Sequence, residues 1–253
     1  MEKEETGMAG TNKKPARNNG AVTLAIDIGG TGLKATLLDA AGTMLADRVR
    51  VDTPRPAAPE VMVDALVGLV QPLPPYDRIS IGFPGVIRGG RVITAPHFGT
   101  EQWSKFPLAA RLSARLKKPA RLLNDADVQG FGAIRGKGLE LVITLGTGLG
   151  SALFRDGELM PHMEFAHYPV RGKRTFNQYI GDAVLKEIGP KRWNRRVTRV
   201  IDTFRTLFNF DALYIGGGNA RKVTLELPKD VRIVSNDMGL TGGIRLWDRQ
   251  EPR

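Results

Sequence analysis

The chain has 253 residues, 42% of them apolar and 25% charged, with no cysteine and a formal net charge of +11. The length accommodates two domains, the fractions are those of a folded chain rather than a disordered one, and the missing thiols exclude disulfides and thiolate metal sites, leaving three histidines and the carboxylates as metal ligands, so no structural zinc is expected. No apolar stretch approaches the roughly 20 residues that span a bilayer, and the polar start of the chain lacks a signal-peptide pattern, so the expected setting is cytoplasmic with no membrane partner.

Residues 1–20 show no apolar periodicity and are expected to be a disordered tail. From Val22 an apolar run, V-T-L-A-I-D-I, ends in G-G-T-G, and L-K-A-T-L-L-D resumes at strand spacing, which predicts a tight hairpin. Helical spacing of Val61, Ala65, Leu66 and Leu69 predicts a helix over 60–70, stopped by Pro72, Pro74 and Pro75; R-I-S-I-G-F follows as a strand. Further on, L-L-N-D-A-D breaks a strand pattern at Asn124 and Asp125, and V-Q-G-F-G-A-I opens a helix.

The segment L-A-I-D-I-G-G-T-G-L-K-A-T-L-L-D then returns as L-V-I-T-L-G-T-G-L-G-S-A-L-F-R-D, with Gly30 mapping onto Gly146 at an offset of 116 residues. An offset close to half the folded chain points to two copies of one domain, each opening with strand, glycine turn and strand. In the second half Trp193, Val197, Val200, Ile201, Phe204, Leu207 and Phe208 recur at helical spacing, followed by the strand A-L-Y-I and Gly216, Gly217 and Gly218.

The first turn, Asp27 with Gly29, Gly30, Thr31, Gly32 and Lys34, suits an ordinary hairpin as well as an anion cradle, since glycines let several N–H groups converge on one anion. Asp27 favours the cradle. A carboxylate near the end of an apolar strand needs a cation, and a hydrated Mg2+ beside phosphates would supply one. Lys34 adds a charge there or is a solvated hairpin lysine. Gly146, Thr147, Gly148 and Gly150 offer a second cradle, and Gly216 to Gly218 a third where a helix N-terminus would point at phosphate. A strand rather than a helix follows the first turn, which argues against a dinucleotide-binding oxidoreductase.

Asn124 and Asp125 are each ordinary helix N-caps or, in the sharper reading, a sugar-positioning amide and a general base for an attacking hydroxyl; Asp127 is expected to face solvent or the helix start. Glu164 and His167 in H-M-E-F-A-H suit sugar hydroxyls or a surface pair, and His162 and His97 share that ambiguity. Residues 169–253 hold 17 Lys/Arg against 9 Asp/Glu, an excess that attracts polyanions without choosing among them. Within it the run K-R-W-N-R-R-V-T-R places Arg192, Arg195, Arg196 and Arg199 opposite the apolar stripe, as a solvated helix face or, less favoured, a polyanion track.

Taken in order, D-I-G-G-T-G, F-P-G-V-I, L-N-D-A-D, T-L-G-T-G-L-G-S-A-L-F-R-D-G, E-F-A-H and Y-I-G-G-G resemble the ROK family of sugar kinases and repressors, and within it the polyphosphate glucokinase branch. The resemblance spans about residues 22–247. It implies an α/β, actin-like ATPase fold (the sugar kinase/Hsp70/actin class), two RNase-H-like domains around a cleft: residues 21–118, with 238–250 as a candidate completion, and residues 119–250. It implies phosphoryl transfer from inorganic polyphosphate, ATP or both to the 6-hydroxyl of glucose or a similar hexose, with Mg2+ and no zinc. Asp125 would be the catalytic base; Asn124, Asp125, Glu164, His167 and His97 would touch the sugar; Gly29 to Thr31 and Gly146 to Gly150 would hold phosphate. A homodimer is common in the family. A repressor would need a DNA-binding module, for which the 20 polar residues ahead of the first strand leave no room, so no DNA partner is expected. Two departures from the family pattern stand out: His97 in T-A-P-H where relatives carry Asn, and Ala166 where E-x-G-H has glycine.

Overall fold

The computed structural model describes residues 20–248; the expected tail, apart from Gly20, lies outside the described residues, as do 249–253. The chain opens with β1 (Thr23–Ile28), β2 (Gly32–Leu38), β3 (Val49–Asp52), α1 (Pro59–Val70) and β4 (Arg78–Phe83), followed by the small hairpin β5 (Ile87–Arg88) and β6 (Arg91–Val92). Next come α2 (Thr100–Trp103), α3 (Leu108–Leu116), β7 (Ala120–Asn124) and α4 (Asp125–Ala133). The second half holds β8 (Leu139–Leu145), β9 (Leu149–Arg155), β10 (Glu158–Leu159), the hairpin β11 (Pro169–Arg171) and β12 (Arg174–Thr175), α5 (Phe176–Ile180), α6 (Asp182–Phe208), β13 (Ala212–Gly216), β14 (Val231–Ile233) and α7 (Met238–Thr241), then a 3-10 segment, Gly242–Trp247.

Two five-stranded sheets share one topology. The first runs β3-β2-β1-β4-β7 and the second β10-β9-β8-β13-β14. In each, an antiparallel hairpin is extended by two parallel strands, β1 against β4 and β4 against β7, β8 against β13 and β13 against β14. The repeat expected from sequence is thus a repeat of architecture. β7, just beyond the expected boundary at 118, is hydrogen-bonded into the first sheet.

Strand parity fixes what reaches the space between the sheets. Leu24, Ile26 and Ile28 of β1 point to the outer face, where they join Met62, Leu66 and Leu112 from α1 and α3. Ala25 and Asp27 therefore point the other way, and Ala25 packs with Leu240 and Ile244. β8 repeats the pattern, with Leu141, Ile143 and Leu145 in an outer core beside Trp193, Val197 and Phe204 of α6, and Val142 and Thr144 facing inward. Thr144 stands in the second hairpin where Asp27 stands in the first.

Helix α4 lies between the sheets, with Val128 and Phe131 packed against Val142, Phe154 and Tyr214 of the second. Its glycines make that fit possible: a Cβ on Gly132 would come within 3.0 Å of Met238. The chain end returns to the first sheet. Ser80 Oγ donates to Gly243 O at 2.7 Å and accepts from Trp247 Nε1 at 2.9 Å, while Arg78 and Arg121 flank the Trp247 ring at 5.0 and 4.5 Å.

The helix expected over 60–70 forms as α1, although its register turns Val61 outward, 43% exposed, and buries Met62 and Val63 instead. The long second-half helix is broken at Gly189 (φ 75), and Pro190 opens its second segment. Its stripe is buried from Trp193 to Phe204, while Phe208 is partly buried and Leu207 is exposed. No helix among the described residues is long and apolar enough to cross a membrane.

Candidate active site

A cleft of about 1150 Å3, its open mouth included, lies between the sheets and is lined by both glycine turns. The first turn is closed by Gly29 N–H donating to Gly32 O at 3.0 Å, and is braced from behind by Thr53 Oγ1 on Gly29 O at 2.7 Å and Arg55 Nη2 on Gly30 O at 2.8 Å. Gly30 faces the second turn: a Cβ there would lie 3.7 Å from Thr147 Oγ1. The second turn is closed by Gly146 N–H on Gly148 O at 3.0 Å, and Asn177 Oδ1 accepts from Leu149 N–H at 2.8 Å. The two copies thus present their backbones to one space. Such glycine turns suit an anion because no Cβ blocks its approach to the N–H groups.

Asp27 projects into this space beside Lys34, its register partner across the hairpin, with Nζ 2.8 Å from Oδ2. The hairpin-lysine reading of Lys34 therefore gives way to an ion pair lining the cleft. Gly217 and Gly218 line the cleft, whereas Gly32 and Gly216 do not. Gly216 is buried, and a Cβ there would collide with the Gln129 side chain at 2.8 Å, so glycine serves packing at that position. No helix follows this third turn, only the 3-10 turn Ala220–Lys222, so the expected helix dipole is missing there.

Asn124 caps α4: its Oδ1 accepts from Ala126 N–H at 2.8 Å and Asp127 N–H at 3.4 Å, while Nδ2 donates to Gly85 O at 3.0 Å. The capping alternative is what its amide oxygen does, and one N–H remains for the cleft it lines. The cap leaves the next residue, Asp125, at the cleft floor. Burial, with the nearby carboxylates of Asp27, Asp127 and Glu164, pushes the Asp125 carboxyl up to about 7 against the N–H of Ala126. A carboxylate titrating there can accept a proton from a hydroxyl near neutral pH.

Asp127, expected to face solvent or the helix start, stands in the first turn of α4 but is only 3% exposed, and its Oδ1 lies 3.2 Å from His162 Nδ1. His162 Nε2 lies 3.8 Å from Glu164 Oε2, an ion-pair separation without a hydrogen bond. Burial pushes this imidazole toward neutrality, but the two carboxylates outweigh it and hold its pKa at about 10. Glu164 responds in kind. Burial raises its carboxyl, and His162 with the N–H of Ala166 brings it below the ordinary carboxylate value. Glu164 also caps the 3-10 turn Phe165–His167 through that N–H at 3.2 Å, which turns His167 into the cleft. Ala166 adopts no positive φ, so a Cβ replaces glycine there without backbone strain. His97 lines the opposite wall beside Gly30, its imidazole pushed below its usual pKa by burial.

The cleft therefore gathers Asp27, Lys34, Asn124, Asp125, Glu164, His167, His97 and both turns, and adds residues that sequence reasoning passed over: Gln129, Thr144, Asn177 and Asn236 among them. Only Thr144 carried a usable signal: it stands two residues before the second glycine turn, as Asp27 stands two before the first.

Two lobes of like topology closing on a glycine-lined cleft with a carboxylate at its floor define a sugar kinase of the actin-like class. The comparisons agree. Residues 23–168 match the ROK family, and the chain belongs to it. The chain is 31% identical to the polyphosphate glucokinase of Mycobacterium tuberculosis over 235 residues, 87% of this chain and 88% of that one. The inorganic polyphosphate/ATP-glucomannokinase of Arthrobacter sp. strain KM superposes with a TM-score of 0.81 at 30% identity, covering 89% of this chain and 97% of that one. A ROK family glucokinase from Streptomyces griseus, solved with glucose and AMPPNP, superposes at 0.76 and 21% identity, over 89% of this chain and 98% of its own, and speaks to the fold alone.

Proposed function

We propose that this chain transfers the terminal phosphoryl group of inorganic polyphosphate or ATP to the 6-hydroxyl of glucose or a similar hexose, in the cytoplasm. The observation that carries this reading is Asp125, a carboxyl raised to about 7 at the floor of a cleft lined by two glycine turns. Similarity to the mycobacterial and Arthrobacter enzymes supports the donor and the acceptor class.

In this reading Glu164, His167, His97 and the free N–H of Asn124 hold the hexose with its 6-hydroxyl at Asp125. As that oxygen bonds to phosphorus, the bridging P–O bond breaks, the proton passes to Asp125, and the shortened polyphosphate or ADP leaves. The turns at Gly29 to Thr31 and Gly146 to Gly150, with Gly217 and Gly218, hold the donor, and Lys34 offsets its charge.

Among the described residues no group of three or more His, Asp or Glu side chains is placed to enclose a metal. Asp27 fits a hydrated Mg2+ all the same, because that ion keeps several waters and takes one or two carboxylates alongside donor phosphates. Asp27 would hold it through water, and bound there it supplies neutralising charge at the donor. Residues 21–124, closed by 238–248, form the lobe carrying Asp27, and the second sheet builds the other.

The test is a coupled assay of hexose 6-phosphate with glucose and mannose, each with ATP and with polyphosphate. Asp125→Asn should lose transfer and keep its fold. Near-normal turnover in that variant, or no transfer by the wild type from either donor, overturns the reading.

A further inference from the structure

The arginine run of the second segment of α6 does more than face solvent. Arg192, Arg195, Arg196 and Arg199 follow one another at i, i+3, i+4 and i+7, so they form a single row of about 10 Å. Arg171, on β11, joins them across a groove whose floor includes Tyr179 and Ile188. None of the five is ion-paired among the described residues; the acids that pair nearby, Asp182 and Asp230, are taken by Lys186 and Arg205. Arg196 is anchored, with Nη1 on Tyr179 O at 3.0 Å and its guanidinium 4.8 Å over the Tyr179 ring, while the other four are exposed. Five arginines line one groove with no acid in its lining and none in an ion pair among the described residues, although Asp202 lies one turn along from Arg199; such a surplus makes a site for a multivalent anion, and guanidinium is the cation best matched to phosphate oxygens.

We propose that this groove binds the distal part of a linear polyphosphate chain whose reacting end lies in the cleft, a reading that rests on polyphosphate as a donor. Short helix α5 connects the two places. Its Asn177 fixes the second glycine turn, and two residues on its Tyr179 floors the groove, so about one helix diameter, ~10 Å, separates them. ATP, with three phosphates and a base, has no second anionic stretch for the groove. Within the groove itself single-stranded nucleic acid would find no aromatic face for stacking, since Tyr179 is 3% exposed and covered by Arg196; the exposed Tyr168, three residues before Arg171, lies outside its lining, and the oligonucleotide arm below tests it.

The experiment compares the wild type with the triple variant Arg192→Gln, Arg195→Gln, Arg199→Gln, none of which touches the cleft. Equilibrium binding of long-chain polyphosphate and of tripolyphosphate is measured without hexose across a salt series, with a single-stranded DNA oligonucleotide as competitor. The variant should bind long-chain polyphosphate about tenfold more weakly with a shallower salt dependence, because exposed ion contacts are individually weak but additive along a chain. Tripolyphosphate binding and the kinetics with ATP should not change. Equal long-chain affinity in both proteins, an equal loss for tripolyphosphate, or displacement by the oligonucleotide at matched charge overturns the proposal. If the wild type binds long chains through these arginines yet transfers no phosphoryl group from them, the groove stands and the donor assignment falls.

Discussion

His162 and Asp127, 35 residues apart in sequence, meet at 3.2 Å behind the cleft wall, and the imidazole reaches on toward Glu164 at 3.8 Å. In the proposed function a protonated His162 would hold Glu164 in place from behind the cleft lining, which includes Glu164 but not His162.

His162→Gln should keep a hydrogen bond to Asp127 and lose the charge. With the folded pKa of His162 held at about 10, above its ordinary value of 6.5, the stabilisation is complete below pH 6.5 and is lost as pH rises through about 10. The wild type should therefore melt above His162→Gln near neutrality, by a margin on the order of 3 kcal/mol, as expected for breaking a buried ion pair. That gap should close toward pH 10. Thermal melts from pH 6 to 10 check this, and a gap independent of pH would rule out the charged imidazole. The hexose KM should rise more than kcat falls.

Asp125→Asn should lower kcat by about 10^2- to 10^4-fold, the usual range for a general base. The same variant should be more stable at alkaline pH. A folded pKa of about 7 against 3.8 for a free carboxyl means the native state alone holds this proton between those values, so stability falls as pH rises across that window. At pH 8 the ionised Asp125 costs at most about 4 kcal/mol, since each tenfold change in proton affinity between the folded and unfolded chain is worth about 1.4 kcal/mol. Calorimetry at pH 4 and pH 8 should show the variant's advantage only at the higher pH.

The acidic limb of kcat/KM against pH should have its midpoint near 7 in the free enzyme, since Asp125 must be ionised to accept a proton. Asp27 contributes to that raised value, so Asp27→Asn should move the limb to lower pH while reducing the rate. A limb that stays in place would show that Asp27 does not contribute, leaving burial with Asp127 and Glu164 to set the value.

Asn177→Ala removes the acceptor that fixes Leu149 N–H and thereby the second glycine turn. One neutral hydrogen bond is worth about 1 kcal/mol, so the KM for both donors should rise about fivefold with the hexose KM unchanged. Steady-state kinetics with each substrate varied in turn decides it.

Local chemistry made much of this protein legible in its sequence. The duplicated strand–turn–strand pattern gave both hairpins, because strand alternation and glycine's freedom are properties of a few neighbouring residues. The same motifs pointed to Asp27, Asp125, Glu164 and His167, all of which line one cleft. Tertiary structure decided the rest. Asp127 read as facing solvent or the helix start because its helix position said nothing of the second sheet packed over it, and its partner His162 lies beyond three intervening strands, β8, β9 and β10. Gly216 looked like a phosphate glycine, yet its constraint is the Gln129 side chain, which a strand-ending pattern cannot reveal. The arginine row was visible as one helix face, but whether it stood alone depended on Arg171 arriving from another element. A sequence specifies which groups are available and how neighbours are spaced. Which groups meet across the chain, and so which charges are paired, raised or left free, is set only when the two sheets close on α4.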